Sequence, residues 1–351
     1  MLETLGLDIT PRAASLWAGV LIGLAFGALA ETSRFCLRRA VAGPMADRRD
    51  ASAMWLAALA VAIAGTQAAA GLGLIALADH RFLAAGVPVV AILTGGAMFG
   101  VGMVLARGCA ARLTVLAGTG NLRAALVVLL LAVAAHATMK GLLAPVAQML
   151  GGLTLPLPHL AALPAAAGLV PLLVAALALR LRPDLATLAQ GAAIGALVPL
   201  AWITTGWLLA DDFDPVALEA LSFTAPAADT LFWTIAATAI DPGFGPGLIL
   251  GTLAGAALSA LRGRRAQWQS FTSPRETGRY ALGAVLMGVG GVLAGGCTVG
   301  AGLSGLSALS SAAALALCAI IAGAKLADRL LSAPSAGSAA PSARPAPQPA
   351  E

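Results

Sequence analysis

Two stretches of this 351-residue chain could do chemistry. GVGMVLARGC ends on Cys109 and GVGGVLAGGC ends on Cys297, and each breaks an apolar run on a glycine followed by a cysteine. A thiol is a small, soft group that donates and accepts weakly. It suits a soft, sulfur-bearing substrate and holds it loosely, and conduction needs sites weak enough to empty. A third cysteine, Cys36 in ETSRFCLRRA, lies near Glu31 and Arg34, whereas Cys318 stands alone in an apolar run where packing accounts for it. None of the four shows CxxC spacing, so neither a disulfide framework nor a zinc site is implied. The three histidines form no cluster, and Walker and dinucleotide motifs are missing, so no metal site and no cofactor is expected.

The elements that hold these residues are membrane spans. The chain is 59% hydrophobic and 11% charged, with a mean hydropathy of +0.90. Soluble domains carry about a quarter charged residues, so an all-α polytopic membrane protein is expected, in contact with membrane lipid. The alternation of about ten residues that marks a β-barrel does not occur. The periodicity suggests about nine transmembrane helices, at roughly 15–30, 53–78, 86–106, 120–138, 165–180, 188–209, 243–261, 279–295 and 308–324, plus re-entrant or broken segments. The expected organisation is a short outer N-terminal segment (1–14), a first half-repeat (15–140), a linker with one connecting helix (141–187), a second half-repeat (188–325) and a disordered Pro/Ala/Ser-rich tail (326–351).

Nine of the fifteen residues 95–109 are identical to residues 283–297, an offset of 188, with the shared pattern G-x4-GVG-x-VLA-x-GC. A weaker echo at offset 168 matches Gly23 and Gly27 with Gly191 and Gly195, and would pair Cys36 with Thr204. Four spans per half and one linking span make the second half enter the membrane inverted, the pattern of transporters whose site lies between the halves. Alternate loops collect 18 of the 21 Lys and Arg residues, leaving Arg12, Arg81 and Lys140 on the other side. By the positive-inside rule the N-terminus lies outside and the C-terminus in the cytoplasm. The basic balance thus reads as topology, and no nucleic-acid partner is expected.

Glycine-rich spacing in these spans fits close helix packing, but packing does not explain a cysteine after the last glycine in both copies. A broken segment in each half, lining a central constriction, does. Irregular backbone at membrane depth survives only when buried in protein or lining a cavity, and its free N–H groups favour an anion. The candidate substrate-binding residues are Cys36, Cys109 and Cys297, with Gly108, Gly296 and Thr298 at the breaks. Arg34 is a candidate for attracting the anion, although its i,i+3 spacing from Glu31 equally fits a helix-surface pair. No catalytic residue is expected.

ETSRFCLRRA, GVGMVLARGCAARL and GVGGVLAGGCTVGAGLSGLS resemble the YeeE/YedE family of sulfur-transport membrane proteins over roughly residues 15–325. The resemblance implies an hourglass-like fold and uptake of an inorganic sulfur anion, thiosulfate foremost, across the bacterial inner membrane. It also implies path cysteines at Cys36, Cys109 and Cys297, and a small cytoplasmic TusA-like sulfur carrier as partner. The rival classes are a membrane sulfurtransferase or redox sensor that uses the same cysteines, and a structural subunit of a larger complex.

Overall fold

The computed structural model describes residues 10–332 except 79, 164, 212 and 213. The first half runs α1 (Pro11–Ser33), the short α2 (Leu37–Ala42), α3 (Met45–Gly71), α4 (Val89–Leu105), the short α5 (Ala110–Gly118) and α6 (Leu122–Met139). Two connecting helices follow, α7 (Ala144–Gly151) and α8 (Ala166–Arg180). The second half runs α9 (Leu185–Ile203), α10 (Ala225–Ile235), α11 (Phe244–Arg262), α12 (Pro274–Leu293), a π-helical segment Gly300–Gly305 and α13 (Ser311–Ser332). Strand structure among the described residues is one two-residue pairing, Gly86–Val87 with Leu155–Pro156.

Six segments are long and apolar enough to cross a membrane: Pro11–Ala42, Met45–Gly71, Val89–Gly118, Leu122–Met139, Leu185–Leu208 and Phe244–Arg262. Two of them, Pro11–Ala42 and Val89–Gly118, contain a break in the helix. The other three expected spans fall on α8, which is apolar but only 15 residues long, and on α12 and α13, of 20 and 22 residues. α12 opens on the polar PRETGRY, and α13 ends with Lys325, Asp328 and Arg329. Helix α13 continues to Ser332, past residue 325, and the rest of the tail lies outside the described residues.

Glycines decide how the halves meet. Equivalent helices α4 and α12 cross through Gly95 and Gly102 on one side and Gly283 and Gly290 on the other, the same two glycines at offset 188. A Cβ at Gly95 would fall 2.6 Å from the Ala294 nitrogen, and one at Gly102 would fall 2.6 Å from the Gly283 oxygen. Residue numbers rise on one helix as they fall on the other, so the equivalent helices are antiparallel. The two repeated halves are therefore inverted relative to each other. The rest of the packing obeys the same exchange: α1 lies on α11 as α9 lies on α3, α4 on α13 as α12 on α6, and α2 on α13 as α10 on α6. Small residues let the backbones approach this closely, and van der Waals contact replaces the hydrophobic drive that lipid cannot supply.

The basic loops gather at one end. Arg48 pairs with Asp328 at 3.3 Å and Arg123 with Glu276 at 2.9 Å, while Arg49 caps the carbonyl of Leu181. Glu31, buried at the end of α1, accepts two bonds from Arg265 at 2.7 and 2.9 Å and one from Ser259 at 2.7 Å. A fork of this kind satisfies the carboxylate that burial would otherwise leave uncompensated. Arg34 is not its partner.

Candidate functional site

The two glycine–cysteine breaks share one backbone. After α4 the Ala106 amide donates to Gly102 O, the Arg107 amide to Val104 O, and Arg107 adopts φ 57°. After α12 the Ala294 amide donates to Gly290 O, the Gly295 amide to Val292 O, and Gly295 adopts φ 74°. The left-handed turn thus recurs at offset 188 with arginine in one copy and glycine in the other. A left-handed conformation costs a non-glycine residue roughly 1–2 kcal/mol, so in the first half the surrounding packing imposes it. Gly108 follows the first turn and Gly296 the second, where a Cβ would fall 2.8 Å from the Ala301 nitrogen.

Each of the three candidate cysteines lies just before a helical segment: Cys36 precedes α2, Cys109 precedes α5, and Cys297 precedes the π-helical segment. The Gly300 amide donates to Cys297 Sγ at 3.3 Å. At Cys36 and Cys109 the amides three residues on, of Arg39 and Arg112, face the sulfur without forming a regular cap. All three thiols are buried and free, whereas Cys318 is exposed on the outer surface of α13.

The decisive contact joins the breaks. The Cys36 and Cys109 thiols lie close enough to interact directly, and Thr298, the residue after Cys297, lies beside Cys109 from the other half. Arg112 lies beside both thiols and donates to Ala30 O at 2.9 Å. Cys36, Cys109, Thr298 and Arg112 therefore form one cluster, drawn from α1–α2, α4–α5 and the second break. Arg34 stands apart: its side chain is exposed, and its carbonyl accepts from Arg39 Nη1 at 3.1 Å.

A cavity of about 550 Å³ opens between the loops after α3 and α9. His80, Arg81, Trp202, Glu219, Ser222 and Ser304 line it. A smaller adjoining cavity of about 50 Å³ reaches Thr224, Gly295 and Gly296, with Arg81 common to both. The Ser304 hydroxyl donates to Leu221 O at 2.7 Å, Trp202 Nε1 to Ser307 Oγ at 3.2 Å, and Gln67 Nε2 to Ser307 O at 2.7 Å. These bonds brace the π-helical segment beneath the cavity.

The family model for "Sulphur transport" matches residues 32–189 and again residues 177–326. The chain belongs to this sulphur-transport family. Its two matches fall on the two halves, so each half carries a copy of the family's repeat. No curated protein matches the chain. The YeeE/YedE resemblance read from the cysteine motifs names the same family.

For a sulphur-transport protein the cavity adds residues that the motifs did not single out. Arg81 is solvent-accessible yet closely surrounded, and desolvation pulls its pKa down while Glu219 opposes the shift. Burial, with Asp229 nearby, pushes Glu219 up to about 7, although Arg81 pulls it back. Burial and the Arg81 charge depress His80 to about 4, so its ring is neutral at ordinary pH. The sequence signal for Arg81 was its place as one of three cations on the basic-poor side. Among the described residues no group of three or more His, Cys, Asp or Glu is arranged to hold a metal ion.

The pairing of Cys36 with Thr204 does not hold. Thr204 lies within the helical run from α9 and bonds Leu200 O at 2.7 Å. The connection after α9 is longer than the turn after α1, and this moves the offset from 168 to 188. At offset 188, Cys36 before α2 corresponds to Thr224 before α10.

Proposed function

We propose that the protein takes up an inorganic sulfur anion, thiosulfate, by relay along its buried cysteines. The anion enters from outside through the Arg81 cavity, meets Cys297 beside Thr298, passes to Cys109 and leaves past Cys36 and Arg112. The observation that carries this reading is the proximity of the breaks: Thr298 of the second half lies beside Cys109, the neighbour of Cys36, in the first. A packing role needs glycines at the helix crossings. It gives no reason for three buried thiols each to precede a helical segment, two of them side by side.

The physics suits a relay. A bare divalent anion in a low-dielectric core is costly. Arg112, thiol S–H donors and free amides at the breaks offset that cost in small steps, so that no single site becomes a trap. Transient S–H hydrogen bonds suffice, with no covalent step. The bacterial inner membrane is the setting proposed, with the N-terminus outside, the C-terminus and Arg112 at the cytoplasmic side, and a TusA-like sulfur carrier as the cytoplasmic acceptor.

The paired thiols also favour a second reading. One cysteine thiolate could attack the sulfane sulfur of thiosulfate, forming a persulfide as the sulfur–sulfur bond breaks and sulfite leaves with the electron pair. Two measurements separate the readings. Vesicles containing the full chain alone take up thiosulfate labelled in both sulfurs with the two labels in equal ratio, and thiosulfate outcompetes sulfate. A persulfide found by mass spectrometry, with only the sulfane label retained, overturns the relay in favour of transfer. No uptake into vesicles overturns both in favour of a subunit role.

A further inference from the structure

We infer that Thr224 and Arg81 form an outward-facing subsite for the anion above Cys297, with Thr224 as the second half's counterpart of Cys36. The inference rests on the proposed transport of thiosulfate and adds to it a binding residue that is not a cysteine.

Three independent observations converge on Thr224. The first is its position. Cys36 opens α2, and Thr224 opens α10 at the same offset of 188 that relates Cys109 to Cys297. The halves therefore present four equivalent positions in two pairs, Cys36 with Cys109 and Thr224 with Cys297. In the first pair the two side chains lie beside each other.

The second is the state of its hydroxyl. Thr224 is 2% exposed, and its Oγ1 has no hydrogen-bond partner. Threonines in apolar helices ordinarily return this bond to the carbonyl four residues back, as Thr114, Thr138 and Thr252 do. A buried hydroxyl left without a partner costs about 1–3 kcal/mol, so a bond made only when ligand is present is the economical explanation. The third is what faces it. Thr224 lines the cavity of about 50 Å³ together with Arg81, Ser222, Gly295 and Gly296. That volume exceeds what one water needs and suits a compact anion.

The chemistry divides between the two side chains. The Arg81 guanidinium takes the charge and oxygens of a sulfur oxyanion, and the Thr224 hydroxyl donates one directional bond before the anion reaches the Cys297 thiol. Gly291 supports the geometry: a Cβ there would sit 2.7 Å from Thr224 Oγ1 and displace it.

The test is uptake of labelled thiosulfate into vesicles by the full chain, with Thr224→Val, Thr224→Ser and Thr224→Cys. Valine keeps the shape and removes the hydroxyl. The expected result is a rise of about tenfold in the half-saturating thiosulfate concentration for Thr224→Val, the worth of one hydrogen bond to a charged group. Thr224→Ser and Thr224→Cys are expected within about twofold of the parent, since each keeps a donor. Melting temperatures in detergent show whether Thr224→Val is folded. A folded Thr224→Val that saturates like the parent overturns this inference and leaves the relay standing if Cys297→Ala abolishes uptake. If the parent takes up no thiosulfate, both fail together.

Discussion

The two breaks are equivalent in backbone and unlike in chemistry. In the first, the turn residue is Arg107, the next segment is the regular helix α5, and the cysteine has a second thiol and Arg112 for neighbours. In the second, the turn residue is Gly295, the next segment is π-helical and rich in glycine, and Cys297 accepts from the Gly300 amide. At offset 188 the Arg112 position is occupied by Gly300. Side-chain charge at one break is thus replaced by bare backbone at the other. Inversion of a duplicated half explains the shared turn. On the proposed uptake, the divergence follows from direction: an outward break needs room and weak donors, while an inward break needs a cation that draws the anion through.

Four measurements would break or sharpen that contrast. The largest effect expected is at Arg112. Arg112→Gln removes the charge beside Cys36 and Cys109, and thiosulfate uptake should fall at least about tenfold. Introducing arginine at Gly300 should not restore it, because the charge would then sit at the wrong break. Restored uptake in that double variant would show the breaks to be interchangeable.

The entrance should respond to pH. Below about 7 Glu219 is protonated and the cavity retains the Arg81 charge, opposed by Asp229, which in turn faces Lys140 and His136. Above about 7 the Glu219 carboxylate repels the anion. Affinity for thiosulfate should therefore weaken as pH rises through this range, by about threefold given Coulomb attraction at a partly solvated site. Glu219→Gln should flatten the dependence. A dependence unchanged in that variant assigns it elsewhere.

The turns give the smallest effects. Gly295→Ala forces a side chain into the left-handed region and should cost roughly 1 kcal/mol of stability, seen as a lower melting temperature in detergent. Arg107→Gly relieves the same strain and should leave stability unchanged or slightly raised, partly offset by greater freedom in the unfolded chain. Equal destabilisation by both substitutions would mean that the Arg107 side chain, not its backbone, holds the first turn.

Much of this is legible in the sequence, for local reasons. Charge depletion marks the spans, and the ungapped repeat of GVG-x-VLA-x-GC marks both breaks, because each is a property of a dozen neighbouring residues. The repeated glycines carry two meanings that sequence cannot separate. Gly95, Gly102, Gly283 and Gly290 form the crossing of α4 with α12, whereas Gly108 and Gly296 belong to the breaks. Contacts across long separations were hidden. In the sequence Glu31 has Arg34 three residues away, yet its partner is Arg265. Thr224 was within reach of the 188 offset, but the longer connection after α9 had shifted the register of the weaker echo.

The account's central claim is that both breaks serve one path. Labelled thiosulfate uptake by Cys109→Ala and Cys297→Ala, with the exposed Cys318→Ala as control, tests it most directly. The account predicts that each of the first two loses uptake at unchanged membrane expression while the control keeps it. Full uptake by either Cys109→Ala or Cys297→Ala would contradict it.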